Sequence, residues 1–245
     1  MTQHTIGIII KVLVALATSI ILGNGAVVLF NRIPVNWFAD YKDDESEERV
    51  LPEKLLISIE EGRQRIPSTP WKYIFAGFFG ISGVFLAVTD VLSYQIGTAI
   101  VLAIALEMAI ADRLYQVVPD QFSILLALSS IGFVSFFDNW WEPAAGLAAA
   151  ACLMAAEYGI GRLIYRKTVI GGADIKFFLA IGCVSGRAGV ICIFVLTAVF
   201  NGISVFYAKH IQKLKIERIP MLPAAWLALA VYMLFLWNRL QMISL

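Results

Sequence analysis

Two aspartates stand beside apolar stretches in settings that suit them to act together. Asp112 closes one long apolar run and leads into Arg113-Leu114-Tyr115-Gln116-Val117-Val118-Pro119-Asp120. Asp174 opens another, in Gly171-Gly172-Ala173-Asp174-Ile175-Lys176. Two carboxylates brought close share one proton, because like charges do not both ionise cheaply. The ionised member then activates water, and the protonated member polarises a carbonyl. That chemistry is aspartyl proteolysis, and it asks only for two Asp residues on facing elements. Gly171 and Gly172 lack a Cβ, so the chain before Asp174 tolerates close approach of a substrate strand. Each aspartate also has a plainer reading. Asp112 marks where a helix leaves lipid, with Pro119-Asp120 starting the next. Asp174 is an N-cap that takes the first free amides of its helix.

The elements that must carry these residues are apolar. Of 245 residues, 60% are hydrophobic and 15% charged, and the mean hydropathy is +0.79. A soluble domain averages roughly 45–50% apolar and about 25% charged, so an ordinary soluble enzyme is disfavoured. Disordered, collagen-like and disulfide-stapled chains are excluded on the same ground. The net charge of +1 offers no global basic surface for nucleic acid.

A membrane span needs about 20 mostly apolar residues. Candidates run from Ile6 to Phe30, Trp71 to Val88, Val91 to Ala111, Phe122 to Phe137 and Ala144 to Ile164, and the last from Met221 to Trp237. Between the final two lies a long tract from Ile175 to Tyr207, interrupted by Ser185-Gly186-Arg187-Ala188-Gly189. Read as two helices joined at that break, it brings the total to about eight spans. The fold class expected is therefore an all-α polytopic membrane protein. Residues 1–70 form a first helix plus a polar loop, and residues 71–245 form the membrane-embedded core. Within the loop, Asp40 to Glu48 reads as a solvated acidic face and Pro52 to Gly62 as one short helix.

Cationic residues cluster in alternate connections. Arg32, Lys42, Arg49, Lys54, Arg63, Arg65 and Lys72 follow the first span, and Arg113 the third. Arg162, Arg166, Lys167 and Lys176 surround the connection after the fifth, and Lys209, Lys213, Lys215 and Arg218 precede the last. By the positive-inside rule these loops are cytoplasmic, both termini lie outside, and both aspartates face the cytoplasm. The tryptophans fall near span ends, as an aromatic belt requires.

Other polar residues add less. Cys152, Cys183 and Cys192 lie in apolar stretches without a Cys-x-x-Cys pair, so no metal site is expected. Glu107 and Glu157 are carboxylates inside spans, which by default suggests function. Glu107 is five residues from Asp112, about 140° around a helix, so the two do not share a face. Lys176 either tunes the aspartate pair or carries its charge to the interface. Asn24 and Asn201 are placed to hydrogen-bond between helices. His4 and His210 sit near span ends.

In these residues the sequence resembles the type IV prepilin peptidases, a family of membrane aspartyl proteases. Gly171-Gly172-Ala173-Asp174-Ile175-Lys176 is similar to their Gly-x-Gly-Asp-x-Lys signature. Asp112 with Val118-Pro119-Asp120 is similar to their first-Asp signature. Gly23 to Pro34 resembles the end of the family's first helix, and Ile219-Pro220-Met221-Leu222-Pro223-Ala224 the stretch before its last. The resemblance implies an eight-span plan and catalytic Asp112 and Asp174, with Gly171, Gly172, Lys176 and Pro119 supporting. It implies prepilin-like substrates of pilus and secretion systems, whose short basic leader is removed at the cytoplasmic membrane face. The chain departs from the pattern at Ala173, where Gly is usual and related archaeal preflagellin peptidases accept Ala. It also departs at Thr168-Val169-Ile170, and in lacking the paired Cys-x-x-Cys motifs of many bacterial members. Proteolysis implies no cofactor. S-adenosylmethionine would enter only with the family's second activity, N-methylation, which the missing motifs leave unsupported.

Two other readings stand beside this one. An ion-coupled transporter would use Glu107, Glu157, Asp112 and Asp174, but the chain shows one Gly-interrupted segment and no matching partner half. An inactive scaffold of the same fold would explain Ala173 and the missing cysteines, and the intact aspartates argue against it. The presenilin-like proteases share a Gly-x-Gly-Asp signature but lack the Asn31-Arg32-Ile33-Pro34 pattern.

Overall fold

The computed structural model describes residues 3–41, 49–165, 171–210 and 220–241. Arg166, Lys167, Thr168-Val169-Ile170, Lys213, Lys215, Arg218, Ile219 and the acidic run from Lys42 to Glu48 lie outside the described residues. Contacts divide the chain into two compact units, Met1–Glu107 and Met108–Leu245.

The first unit is built on α1 (Gln3–Arg32) and α3 (Ser68–Thr89), with α2 (Glu53–Glu60) between them and most of α4 (Leu92–Tyr115) after them. α1 and α3 pack through small residues. A Cβ on Gly23 would collide with Ala76, and one on Gly83 would press on Ala15 at 3.0 Å. Small residues let helix backbones approach closely in lipid, where no hydrophobic force drives helices together. Polar clips complete the unit. The Asn31 side chain donates to the Ile66 carbonyl and accepts from the Ile66 amide, both at 3.0 Å. Lys11, charged within the apolar α1, donates to the Asp90 carbonyl at 2.7 Å. The extended pairing in this unit is a two-residue antiparallel step, Asp40–Tyr41 with Arg49–Val50. The expected short loop helix is α2.

The second unit holds the end of α4, then α5 (Asp120–Ser129), α6 (Glu142–Tyr165), α7 (Gly172–His210), α8 (Leu222–Val231) and α9 (Trp237–Gln241). α5 tightens into a 3-10 turn over Ser130–Phe136, and a π-helical turn over Tyr232–Leu236 joins α8 to α9. α7 runs against α6. Again the seam is glycine: a Cβ on Gly146 would strike the Gly182 and Gly186 backbones, and one on Gly182 the Gly146 backbone.

The interruption expected near Ser185–Gly189 is one residue, Gly186, at φ 69° and ψ −176°. An L side chain there would be strained, which is why glycine occupies it. One carbonyl at the break has a side-chain partner. The buried Tyr232 hydroxyl donates to the Ser185 carbonyl at 3.3 Å. Beside it, Arg187 binds Glu142, with Nε on Oε1 at 3.1 Å, and its guanidinium lies over the Trp141 ring at 4.8 Å.

Among the described residues six helices are long and apolar enough to cross a membrane, and Asp120–Phe136 is a shorter apolar helix. Counting the two arms of α7 separately, the chain has the expected all-helical, multi-pass plan. Two local expectations change. α4 continues to Tyr115, so Asp112 lies in its last turn and the helix outlasts the expected span, which ended at Ala111, by four residues. α7 begins at Gly172, so Asp174 is the third helical residue and not the N-cap.

Candidate active site

Asp112 is carried by the last turn of α4. The helix stops there because Gln116 takes a left-handed conformation, φ 57°, while its amide closes onto the Asp112 carbonyl at 3.0 Å. The Asp112 side chain is only 7% exposed. A carboxylate so buried must be hydrogen-bonded. Its Oδ2 accepts the Leu222 amide at 3.0 Å, and Leu222 is the first residue of α8. At the first helical position the Leu222 N–H has no carbonyl in its own helix to bond, so it is an open donor, and Pro223 after it has no amide to add. A carboxylate placed there also meets the positive end of the helix dipole.

Asp174 is held by its own turn. Gly171 precedes α7, and its carbonyl accepts the Asp174 amide at 3.1 Å and the Ile175 amide at 3.3 Å. In return the Asp174 Oδ2 accepts the Gly171 amide at 3.3 Å. This is the reaching-back half of a capping box, with the acid at the third helical position. The aspartate is only partly buried, and the charges of Asp112 and Glu157 both act on it. Thus the two expected aspartates, 62 positions apart by number (174 − 112), lie within reach of one another's field in one unit.

The two glycines before Asp174 differ. A Cβ on Gly171 would sit 3.3 Å from the Asp174 Oδ2, whereas one on Gly172 would meet nothing within 4 Å. Gly171 therefore makes room for the carboxylate, and Gly172 leaves open space beside it. Pro119 is extended at φ −59° and ψ 133°, and its carbonyl accepts the Phe122 amide at 3.1 Å, which starts α5. Lys176 donates to Asp120, the first residue of α5, with both side chains about half exposed or more. It thereby ties the segment after the first aspartate to the helix after the second.

Of the other residues singled out, Glu107 is 5% exposed, and Glu107 and Glu157 each have one buried carboxylate oxygen without a hydrogen-bond partner. Asn24 bonds back to Ile20 in its own helix rather than across to another. The His210 ring stacks on Phe206. Among the described residues the three cysteines are free, and no cluster of His, Cys, Asp and Glu could hold a metal ion.

Sequence reasoning missed the Leu222 amide as the partner of Asp112, and Asp120 as the partner of Lys176. The proline at the second position of α8 was the available signal for the first, because it marks a helix start, where the first amides have no partner in the helix.

Residues 99–206 match the type IV leader peptidase family. No curated protein and no solved structure matches the chain. The matched segment contains Asp112 and Asp174 and ends before α8, so the amide that holds Asp112 comes from outside it.

Proposed function

We propose that this chain, whose residues 99–206 match the type IV leader peptidase family, is an aspartic prepilin peptidase that removes the leader of prepilin-like membrane substrates with Asp112 and Asp174. The reading is supported by two aspartates inside the matched segment, in one compact unit, each with its carboxylate on a backbone amide. One carboxylate takes a proton from water, and the other presents its proton to the scissile carbonyl oxygen. The water oxygen bonds to the carbonyl carbon. Collapse of the tetrahedral intermediate then breaks the C–N bond, with a proton passing to the leaving amine. Asp112 is positioned for this by the Leu222 amide, and Asp174 by the Gly171 amide.

Both carboxylates lie in end turns of apolar helices, at the end of α4 and the start of α7. A membrane-borne substrate would therefore be cut near a membrane surface. The basic connections support the cytoplasmic one. Residues 71–245 would form the peptidase core, with α1 and its loop preceding it.

The test is co-expression with a tagged prepilin-type substrate, with leader loss read as a gel shift. Wild type is expected to shift the substrate, and Asp112→Asn and Asp174→Asn are each expected to abolish the shift at equal expression. Substantial cleavage by either variant would sink the pair.

A further inference from the structure

One cavity in the second unit is not used by the reaction just described. It lies between α6 and α7, has a volume of about 540 Å³, and is lined among others by Glu157, Thr197, Asn201, Lys209, His210 and Met221. Its inner wall is rich in acceptors. The Glu157 Oε2 and the Asn201 Oδ1 are buried without a hydrogen-bond partner. The Thr197 hydroxyl spends its proton on the Ile193 carbonyl at 2.7 Å, so it too has only lone pairs to offer. Thr197 and Asn201 are four residues apart and so share a face of α7. Unpaired acceptors in an apolar setting are costly, and a carboxylate within a span marks a functional site.

The complement is a group with several donors and a positive charge. A primary ammonium has three N–H donors and no acceptor. Lys209, also in the lining, does not occupy the place, since the Glu157 Oε2 and the Asn201 Oδ1 have no hydrogen-bond partner. We propose that this cavity is a subsite for a primary ammonium of the substrate, with Glu157 as counter-charge and Asn201 and Thr197 completing the acceptor set.

The cavity adjoins the candidate dyad on two counts. The charge of Glu157 acts on Asp174, and Met221 in the cavity wall precedes Leu222, whose amide holds Asp112. Hydrolysis of a peptide bond creates a new α-amine, charged at neutral pH. A lysine side chain flanking the scissile bond is the other source of the same group. The source of the ammonium rests on the peptidase reading, whereas the capacity of the cavity to hold one does not.

The experiment measures binding of fluorescent hydrophobic-helix peptides to the full chain in lipid nanodiscs. One pair of peptides has a free or an acetylated N-terminus. A second pair, both acetylated, carries lysine or norleucine near that end. In wild type the charged member of at least one pair is expected to bind about tenfold more tightly, the scale of a charged hydrogen-bonded pair. The pair that discriminates identifies the source. The gap should close in Glu157→Gln and widen in Asn201→Asp, and a misfolded protein would not widen it. Equal binding within both pairs by wild type would overturn the proposal, as would a gap that Glu157→Gln leaves intact. Cleavage is read separately. Ammonium preference without cleavage of any prepilin substrate keeps the subsite and refutes the peptidase, and cleavage without preference does the reverse.

Discussion

Asp112 and Asp174 sit at opposite ends of their helices and are held by different means. Asp112, in the last turn of α4, places its carboxylate on an amide 110 positions further along the chain. Asp174, in the first turn of α7, places its carboxylate on an amide three positions back. The first geometry exists only when α8 has docked. The second forms as soon as the first turn of α7 does, because cap and acid belong to the same few residues. Burial follows the same division. Asp112 is 7% exposed, while Asp174 keeps a partly open face with the empty space beside Gly172. The candidate site thus joins one carboxylate preset by tertiary packing to one preset by local capping.

The widest test of that pairing is the double variant Asp112→Asn/Asp174→Asn. Each single change is expected to slow leader cleavage by at least about a thousandfold, and the double should be no slower than the slower single, because groups acting as a unit are not additive. Losses that multiply in single-turnover assays would show two independent roles.

Next in size is the distant tether. Leu222→Pro deletes the amide, with added strain on Met221, whose α-region backbone a following proline disfavours, and Leu222→Ala keeps the amide while shortening the same buried side chain. A hydrogen bond to a charged group is worth about 1.5–3 kcal/mol. Cleavage by the proline variant should therefore fall about tenfold to a hundredfold below that of the alanine variant. Equal rates would mean that Asp112 needs no help from α8.

The local tether is probed by glycine. Gly171→Ala would push on the Asp174 carboxylate, which must give by a few tenths of an ångström, whereas Gly172→Ala meets open space. Misplacing a reacting group by about 1 Å costs on the order of a hundredfold. About a tenfold loss or less is expected for Gly171→Ala, and near-wild-type cleavage of short peptide substrates for Gly172→Ala. If Gly172→Ala were the more damaging, substrate approach rather than carboxylate placement would be what these glycines serve.

The smallest effect belongs to the tie between Lys176 and Asp120. Exposed ion pairs contribute about 0–1 kcal/mol, and these side chains are 49% and 64% exposed. Lys176→Met and Asp120→Asn should each change cleavage by about fivefold or less, and by similar amounts. A large loss in Lys176→Met alone would show that the lysine acts on the aspartates and not through Asp120.

Much of this was legible in the chain itself. Six of the seven expected apolar tracts match long helices within a few residues, the Ile175–Tyr207 tract counted once, because about 20 apolar residues in a row have few other stable fates. The exception is the stretch after Pro119, where the helix is short and ends in a 3-10 turn. The break in the long tract was visible as a glycine among apolar residues, and the structure places it at Gly186. The two aspartates were visible as acids at the edges of apolar runs. The neighbourhood of Asp174 was nearly complete, since every group that positions it lies within Gly171 to Ile175.

By itself, then, the sequence determined which segments are helical and apolar, where the long helix breaks, and that Asp174 lies at a helix start. These depend on neighbours in the chain. Tertiary structure alone decided that the Leu222 amide meets Asp112, that Lys176 meets Asp120, that Glu142 meets Arg187, and that Glu157 and Asn201 line one cavity. The reason lies in the helices. Apolar around most of their circumference, they carry little amphipathic signal to set their rotation. Close glycine contacts such as Gly146 against Gly182 set it instead, and with it which polar groups face each other.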